Sequence, residues 1–227
     1  MRERVGKKVH RTRIKICGLT RAQDAAASVA SGADAVGVIL HADSPRRVGL
    51  EDAAAILRDV PPPVARVGVF VDSSIDFVRE AVDALSLSMV QFHGHESPEF
   101  CSSSPVPVIK AIQVGKGFAT RVVEPFRGRT GAILLDTYSP HMQGGTGTSL
   151  RWHILPALPG WAPLFLAGGL NADNVGEAIA LTHPFAVDVS SGVEVSPGVK
   201  DYAAIQAFCE AVRRADSNTA DSGGGAS

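Results

Sequence analysis

Two residues of this chain have types and placements suited to moving protons, and both close a short apolar run. Asp136 follows Ala132, Ile133, Leu134 and Leu135 directly. A carboxyl beside that much apolar surface is desolvated, which favours its protonated form and suits a general acid. The structural alternative is a helix cap or a partner for a nearby cation. Cys17 ends the run Arg13, Ile14, Lys15, Ile16 and shares a face with Lys15 by the two-residue strand period. A thiol is mostly protonated at neutral pH, so a basic Cys17 needs positive charge close by, and Lys15 is the candidate source. The glycine that follows, Gly18, lets a ligand approach the backbone closely. A small buried hydrophobe is the competing reading of a lone cysteine.

Other segments have the chemistry to hold an anion. Ala167-Gly168-Gly169-Leu170-Asn171 and Ser190-Ser191-Gly192 are small-residue loops after consecutive apolar runs. Amide groups exposed in such loops form a cradle for phosphate. Ser44-Pro45-Arg46-Arg47 offers guanidinium forks that fit a carboxylate with two hydrogen bonds, or a solvated surface pair. His93 and His95 flank Gly94, but two histidines without a third ligand at a recognisable spacing do not make a metal site. An orienting hydrogen bond from His93 fits better, and no metal is expected. Gly144-Gly145-Thr146-Gly147 reads as a mobile flap or a long turn.

These residues become neighbours only if the elements carrying them converge. Apolar runs rich in Val, Ile and Ala fall at 12–17, 34–40, 64–71, 88–92, 106–111, 131–136, 162–167 and 185–190. Each is nearly continuous in apolar character, as expected of parallel strands covered on both faces. Amphipathic stretches fill the intervals at 21–31, 51–59, 75–84, 99–103, 116–125, 149–156, 173–181 and 200–214. Thr20, Ser73 or Ser74, and Ser97 stand where a side-chain oxygen can cap a helix, with Pro98 at a first helical position. Eight βα units in about 200 residues predict an α/β fold, a single-domain (β/α)8 TIM barrel over 12–215. In that fold the carboxyl ends of all strands face one mouth, and the loops after strands seven and eight are the recurrent phosphate position. An open doubly wound sheet is the rival, but no G-x-G-x-x-G follows the first run.

Bulk properties narrow the partners. A net charge of -1 with both signs interspersed gives no field for nucleic acid or membrane, and no apolar segment is long enough to span a bilayer. A small phosphorylated substrate and a cytoplasmic location are expected. Three widely spaced cysteines without a C-x-x-C argue against a disulfide framework or a zinc knuckle. Residues 1–11 are basic and read as a flexible extension, and 216–227 carry no large apolar side chain and read as a disordered tail. The oligomeric state, monomer or homodimer, leaves no local pattern.

Taken in order, these segments resemble the phosphoribosylanthranilate isomerase family of tryptophan biosynthesis. The likeness runs through Lys15-Ile16-Cys17-Gly18-Leu19-Thr20, Gly32-Ala33-Asp34-Ala35-Val36-Gly37, Gln91-Phe92-His93-Gly94, Leu135-Asp136-Thr137, Gly144-Gly145-Thr146-Gly147, Ala167-Gly168-Gly169-Leu170-Asn171 and Asp188-Val189-Ser190-Ser191-Gly192-Val193-Glu194. The resemblance implies an Amadori rearrangement of N-(5-phosphoribosyl)anthranilate without cofactor or metal. It implies Asp136 as general acid on the ring oxygen and Cys17 as general base at C2. Arg46 is similar in position to the residue that grips the anthranilate carboxylate. Gly168, Gly169, Ser190, Ser191 and Gly192 fall in the phosphate loops, and His93 and Asp188 line the pocket. The chain departs from the family pattern at Thr148 to Trp152, where a lysine and a Phe-Asp-Trp run are usual, and at Arg47. Two other readings remain: the histidine-pathway isomerase, which carries a carboxylate where Cys17 stands, and a silent barrel that binds a phosphorylated ligand.

Overall fold

Eight strands, each too apolar to face water on either side, need cover on both faces, and here they close on one another inside a shell of helices. A computed structural model describes residues 11–115, 117–137 and 160–222, and the expected flap at 144–147 and helix at 149–156 lie outside these. The strands are β1 (Arg13–Ile16), β2 (Ala35–His41), β3 (Ala65–Phe70), β4 (Met89–Phe92), β5 (Val108–Gln113), β6 (Ala132–Asp136), β7 (Leu164–Ala167) and β8 (Ala186–Val189). All pair in parallel in sequence order, and β1 closes on β8 with Lys15 opposite Asp188. The helices are α1 (Ala22–Ala30), α2 (Leu50–Leu57), α3 (Ile75–Leu85), α4 (Pro98–Ser102), α5 (Val175–Thr182) and α6 (Tyr202–Ser222). After β8 a short hairpin forms from β9 (Glu194–Ser196) and β10 (Val199–Lys200).

Strand alternation divides the apolar residues between two cores. Ile14, Ile16, Val36 and Val38 point outward and pack under the helices. Ala35, Val67, Ile109, Leu134 and Phe165 point inward and fill the barrel. Burying each Val, Leu, Ile or Phe contributes about 1.5–3 kcal/mol, so the two cores together outweigh any single polar contact. Toward the carboxyl ends the inward positions turn polar, and Lys15, Gln91 and Asp188 are all buried there.

Several local expectations change. The helix expected at 116–125 is instead two 3-10 turns, Thr120–Val122 and Glu124–Phe126. Pro125 supplies no amide hydrogen and disfavours helical geometry at Glu124. Thr20 does not cap α1, since its hydroxyl donates to the carbonyl of Gly198 and Arg21 occupies the cap position. Ser74 and Ser97 do cap, accepting from Phe77 and Phe100 amides at 3.3 and 3.2 Å. The tail expected from 216 is helical through Ser222, because Asp216 accepts bonds from the amide and hydroxyl of Thr12 at 2.8 and 2.7 Å.

A second polar cluster holds the β4–α4 loop. Lys110 and Glu96 form a buried ion pair at 2.7 Å. Lys110 also donates to the Gly94 carbonyl at 2.7 Å, while Glu96 accepts from the amides of Gly94 and Asp72, each at 2.9 Å at its nearer oxygen. The loop leaving β4 is thereby fixed immediately after His93. Removing one partner strands the other charge in the interior, so Glu96→Ala is expected to destabilise the fold by about 3–5 kcal/mol in urea unfolding. A loss below about 1 kcal/mol would show that the pair carries no weight.

Candidate active site

The inward side chains at the carboxyl ends of the strands surround a cavity of about 350 Å³. Its lining brings together Cys17 after β1, Arg46 after β2, Gln91 in β4 and His93 just after it, Asp136 ending β6 and Asp188 in β8. The loops after β7 and β8 add Gly168, Gly169, Ser190, Ser191 and Gly192. Every site residue expected from sequence therefore reaches one space. Arg46 lines it while Arg47 is exposed. His95 turns away to meet Asp72 at 3.2 Å, separate from His93.

The floor is set by Lys15, whose ammonium stands 2.9 Å from both carboxylate oxygens of Asp188. Burial opposes the Lys15 charge, but Asp188 and Cys17 together outweigh it and hold its pKa above the ordinary lysine value. Cys17 sits beside this pair. Burial pushes its thiol up, and the opposing pull of Lys15, supported by Lys200, does not overcome it. The expected source of positive charge is present, yet the resting group is a thiol. Gly37 makes room for it, since a Cβ there would lie 2.9 Å from Cys17 Sγ.

Asp136 is less enclosed than its apolar run suggests, with 18% of its side chain exposed. It meets His93 Nε2 at 3.2 Å, and His93 Nδ1 lies 3.1 Å from the Gln91 side-chain nitrogen. The chain of three is consistent in polarity when Gln91 donates to Nδ1 and the Nε2 hydrogen is donated to the carboxylate.

On the opposite wall Arg46 is gripped by Glu194, with Nε at 2.8 Å and Nη2 at 2.6 Å from its two oxygens. Lys200 meets the same carboxylate at 2.8 Å and donates to the Ser190 carbonyl at 3.1 Å. Burial works against the Glu194 charge, but Arg46 and Lys200 win and hold its carboxyl below the usual range. Gly18 does not leave its backbone open to a ligand. The place of its missing Cβ is filled by Arg46 Cδ at 2.7 Å and Ser190 Oγ at 2.9 Å, and its φ of +72° suits glycine alone.

The loops after β7 and β8 are packed closely against each other. A Cβ on Gly192 would collide with the carbonyl of Leu170. Thr137 donates to the Ala167 and Gly168 carbonyls at 3.1 and 3.2 Å, and Asn174 donates to the Gly169 carbonyl at 3.0 Å. After β8 the chain makes one 3-10 turn, Ser191–Val193. Sequence reading passes over Gln91, Glu194 and Lys200 as site residues. Gln91 alone carries a local signal, an amide between Val90 and Phe92 in a buried strand.

Fold and mouth define the class, a (β/α)8 barrel with a polar pocket at the carboxyl ends of the strands. The sequence profile of N-(5'-phosphoribosyl)anthranilate (PRA) isomerase matches residues 14–211. The chain belongs to this family of tryptophan biosynthesis. An isomerase of that name from Pseudomonas putida is 47% identical over 207 residues, covering 89% of this chain and 98% of the relative. One from Pseudomonas paraeruginosa is 48% identical over 203 residues, covering 88% and 95%. The crystal structure of the Thermotoga maritima enzyme matches with a TM-score of 0.82 at 42% identity, covering 89% of this chain and 99% of that one. A family structure in complex with reduced 1-(o-carboxyphenylamino)-1-deoxyribulose 5-phosphate matches with a TM-score of 0.78 at 39% identity, covering 89% and 99%.

Because burial outweighs the cations around Cys17, its thiolate fraction grows with pH through and beyond the ordinary thiol range. Alkylation of Cys17 by iodoacetamide, followed by peptide mass spectrometry, should accelerate steadily from about pH 7 to about pH 9. Cys101 and Cys209, both buried and pushed up to about 11, should react more slowly. A plateau for Cys17 below about pH 8 would mean that the ammonium groups decide its state.

Proposed function

We propose that Asp136 and Cys17 divide the proton transfers in the isomerisation of N-(5-phosphoribosyl)anthranilate, the family's reaction. The observation that carries this reading is that the carboxyl and the thiol line one cavity together with the two anion loops. The phosphate binds against the loops at Gly168, Gly169, Ser190, Ser191 and Gly192. Arg46 receives the anthranilate carboxylate. That leaves the ribose between β1 and β6, where the acid and the base stand.

Asp136 gives its proton to the ring oxygen as the C1–O bond breaks, and the amine nitrogen supplies the electron pair that forms an iminium. His93, bonded to Asp136, orients the carboxyl and stabilises its charge once the proton has left. The iminium places a positive charge close to Cys17, adding to Lys15 and favouring the thiolate that burial disfavours. The thiolate takes the proton from C2. The C–H pair becomes a C1=C2 bond, and the imine pair returns to nitrogen. Protonation of C1 and loss of the C2 hydroxyl proton then give the ketone.

Such a reaction needs only a small soluble substrate, which fits a cytoplasmic enzyme. Among the described residues no helix is long and apolar enough to cross a membrane.

The direct test follows the fluorescence of freshly prepared phosphoribosylanthranilate with the purified protein. Cys17→Ala and Asp136→Asn are each expected to lower kcat by about 10²- to 10⁴-fold with an unchanged urea midpoint. Turnover within a few-fold of the original in either variant would remove that residue from the mechanism. Gly192→Ala should act differently, raising KM and weakening inhibition by inorganic phosphate more than it lowers kcat, because the Leu170 carbonyl must move.

A further inference from the structure

Gln91 is a buried polar side chain, 1% exposed, in the wall of the cavity. Only half of its amide is used. The nitrogen is committed to His93 Nδ1 at 3.1 Å, whereas Oε1 is buried without a hydrogen-bond partner among the described residues. Buried amide oxygens without a donor are rare because they lose their water and gain nothing in return. The amide orientation follows from the chain it belongs to. Exchanging oxygen and nitrogen would put the hydrogen on Nδ1 and leave a bare Nε2 toward Asp136 Oδ2, acceptor against acceptor while the acid proton of Asp136 sits on its other oxygen.

We propose that Gln91 Oε1 accepts a hydrogen bond from a sugar hydroxyl of the bound substrate, making Gln91 a specificity-determining contact of the site. The inference rests on the reading of the site given under Proposed function. An amide oxygen can only accept, so it cannot face the phosphate or the carboxylate, which are themselves acceptors. Those groups have their own places, at the β7 and β8 loops and at Arg46. Strand β4 lies four places around the barrel from β8, on the far side of the cavity from the phosphate loops. Between the two anionic ends the substrate carries hydroxyls, and a hydroxyl is the donor that an unpaired acceptor requires. An analogue lacking that hydroxyl would leave Oε1 unpaired in the complex as well, and this is how a buried acceptor discriminates.

The experiment measures inhibition constants for the reduced product, 1-(o-carboxyphenylamino)-1-deoxypentitol 5-phosphate, and for analogues each lacking one hydroxyl. The unaltered enzyme, Gln91→Met and the isosteric Gln91→Glu, which keeps an acceptor, are compared. One analogue should bind the unaltered enzyme about 5- to 10-fold more weakly than the parent. Gln91→Met should bind parent and analogue alike, while Gln91→Glu should keep the distinction. A role confined to holding His93 would lower turnover in Gln91→Met but leave its ranking of the analogues as in the unaltered enzyme, and that ranking would overturn the proposal. So would an unaltered enzyme indifferent to every hydroxyl, a result that needs no variant to fold. If the unaltered enzyme turns over phosphoribosylanthranilate yet shows no coupling, the contact fails and the proposed reaction stands. Absence of turnover takes down the reaction itself.

Discussion

The ion pair between Lys15 and Asp188 is the constraint around which the mouth is organised. The two residues sit opposite each other across the β1–β8 seam, where the sheet closes on itself. Both are buried, so each charge is tolerated only because the other is 2.9 Å away with two oxygens sharing one ammonium. An error in closure register of a single residue would turn one partner out of the barrel and leave the other uncompensated. The pair thus ties barrel closure to the electrostatics beneath Cys17.

That electrostatics is a contest in which burial prevails over the cations. Desolvation acts on Cys17 from all sides, while Lys15 and Lys200 pull the other way and Asp188 cancels part of their effect. A buried thiol among paired charges is not activated by its surroundings alone. In the proposed reaction its basicity draws on the positive charge that forms on the iminium.

The fold was readable because burial on both faces makes parallel strands nearly continuous apolar runs, and all eight lie within two residues of their expected ends. The polar endings of those runs marked Cys17, Asp136, His93 and Asp188 for the same reason, since a core strand has no use for them. What escaped was what depends on distant partners. Thr20 has the type of a cap, but the Gly198 carbonyl, 178 residues away, takes its hydroxyl. The end of the chain lacks large apolar side chains, yet Asp216 is anchored by Thr12 across 204 residues. Glu194 and Lys200 sit in a hairpin no periodicity announces, and their meaning comes from Arg46, 148 residues from Glu194. Gly18 has the type of a residue that admits a ligand, but its space is filled from within the protein.

Glu194 has a consequence for recognition that reaches beyond the hairpin. Arginine has a long side chain whose many rotamers must be given up when it grips an anion, and that entropy ordinarily subtracts from affinity. Here the internal carboxylate holds the Arg46 guanidinium through two hydrogen bonds, and Arg46 and Lys200 together keep that carboxylate ionised. In the proposed role of Arg46, the substrate carboxylate meets a guanidinium whose freedom is already spent, but it must share that cation with Glu194, already in place. Preorganisation and competition thus come from the same residue. Under that reading, a ligand aligned at its other end as well has the advantage over a simple carboxylate that drifts in alone.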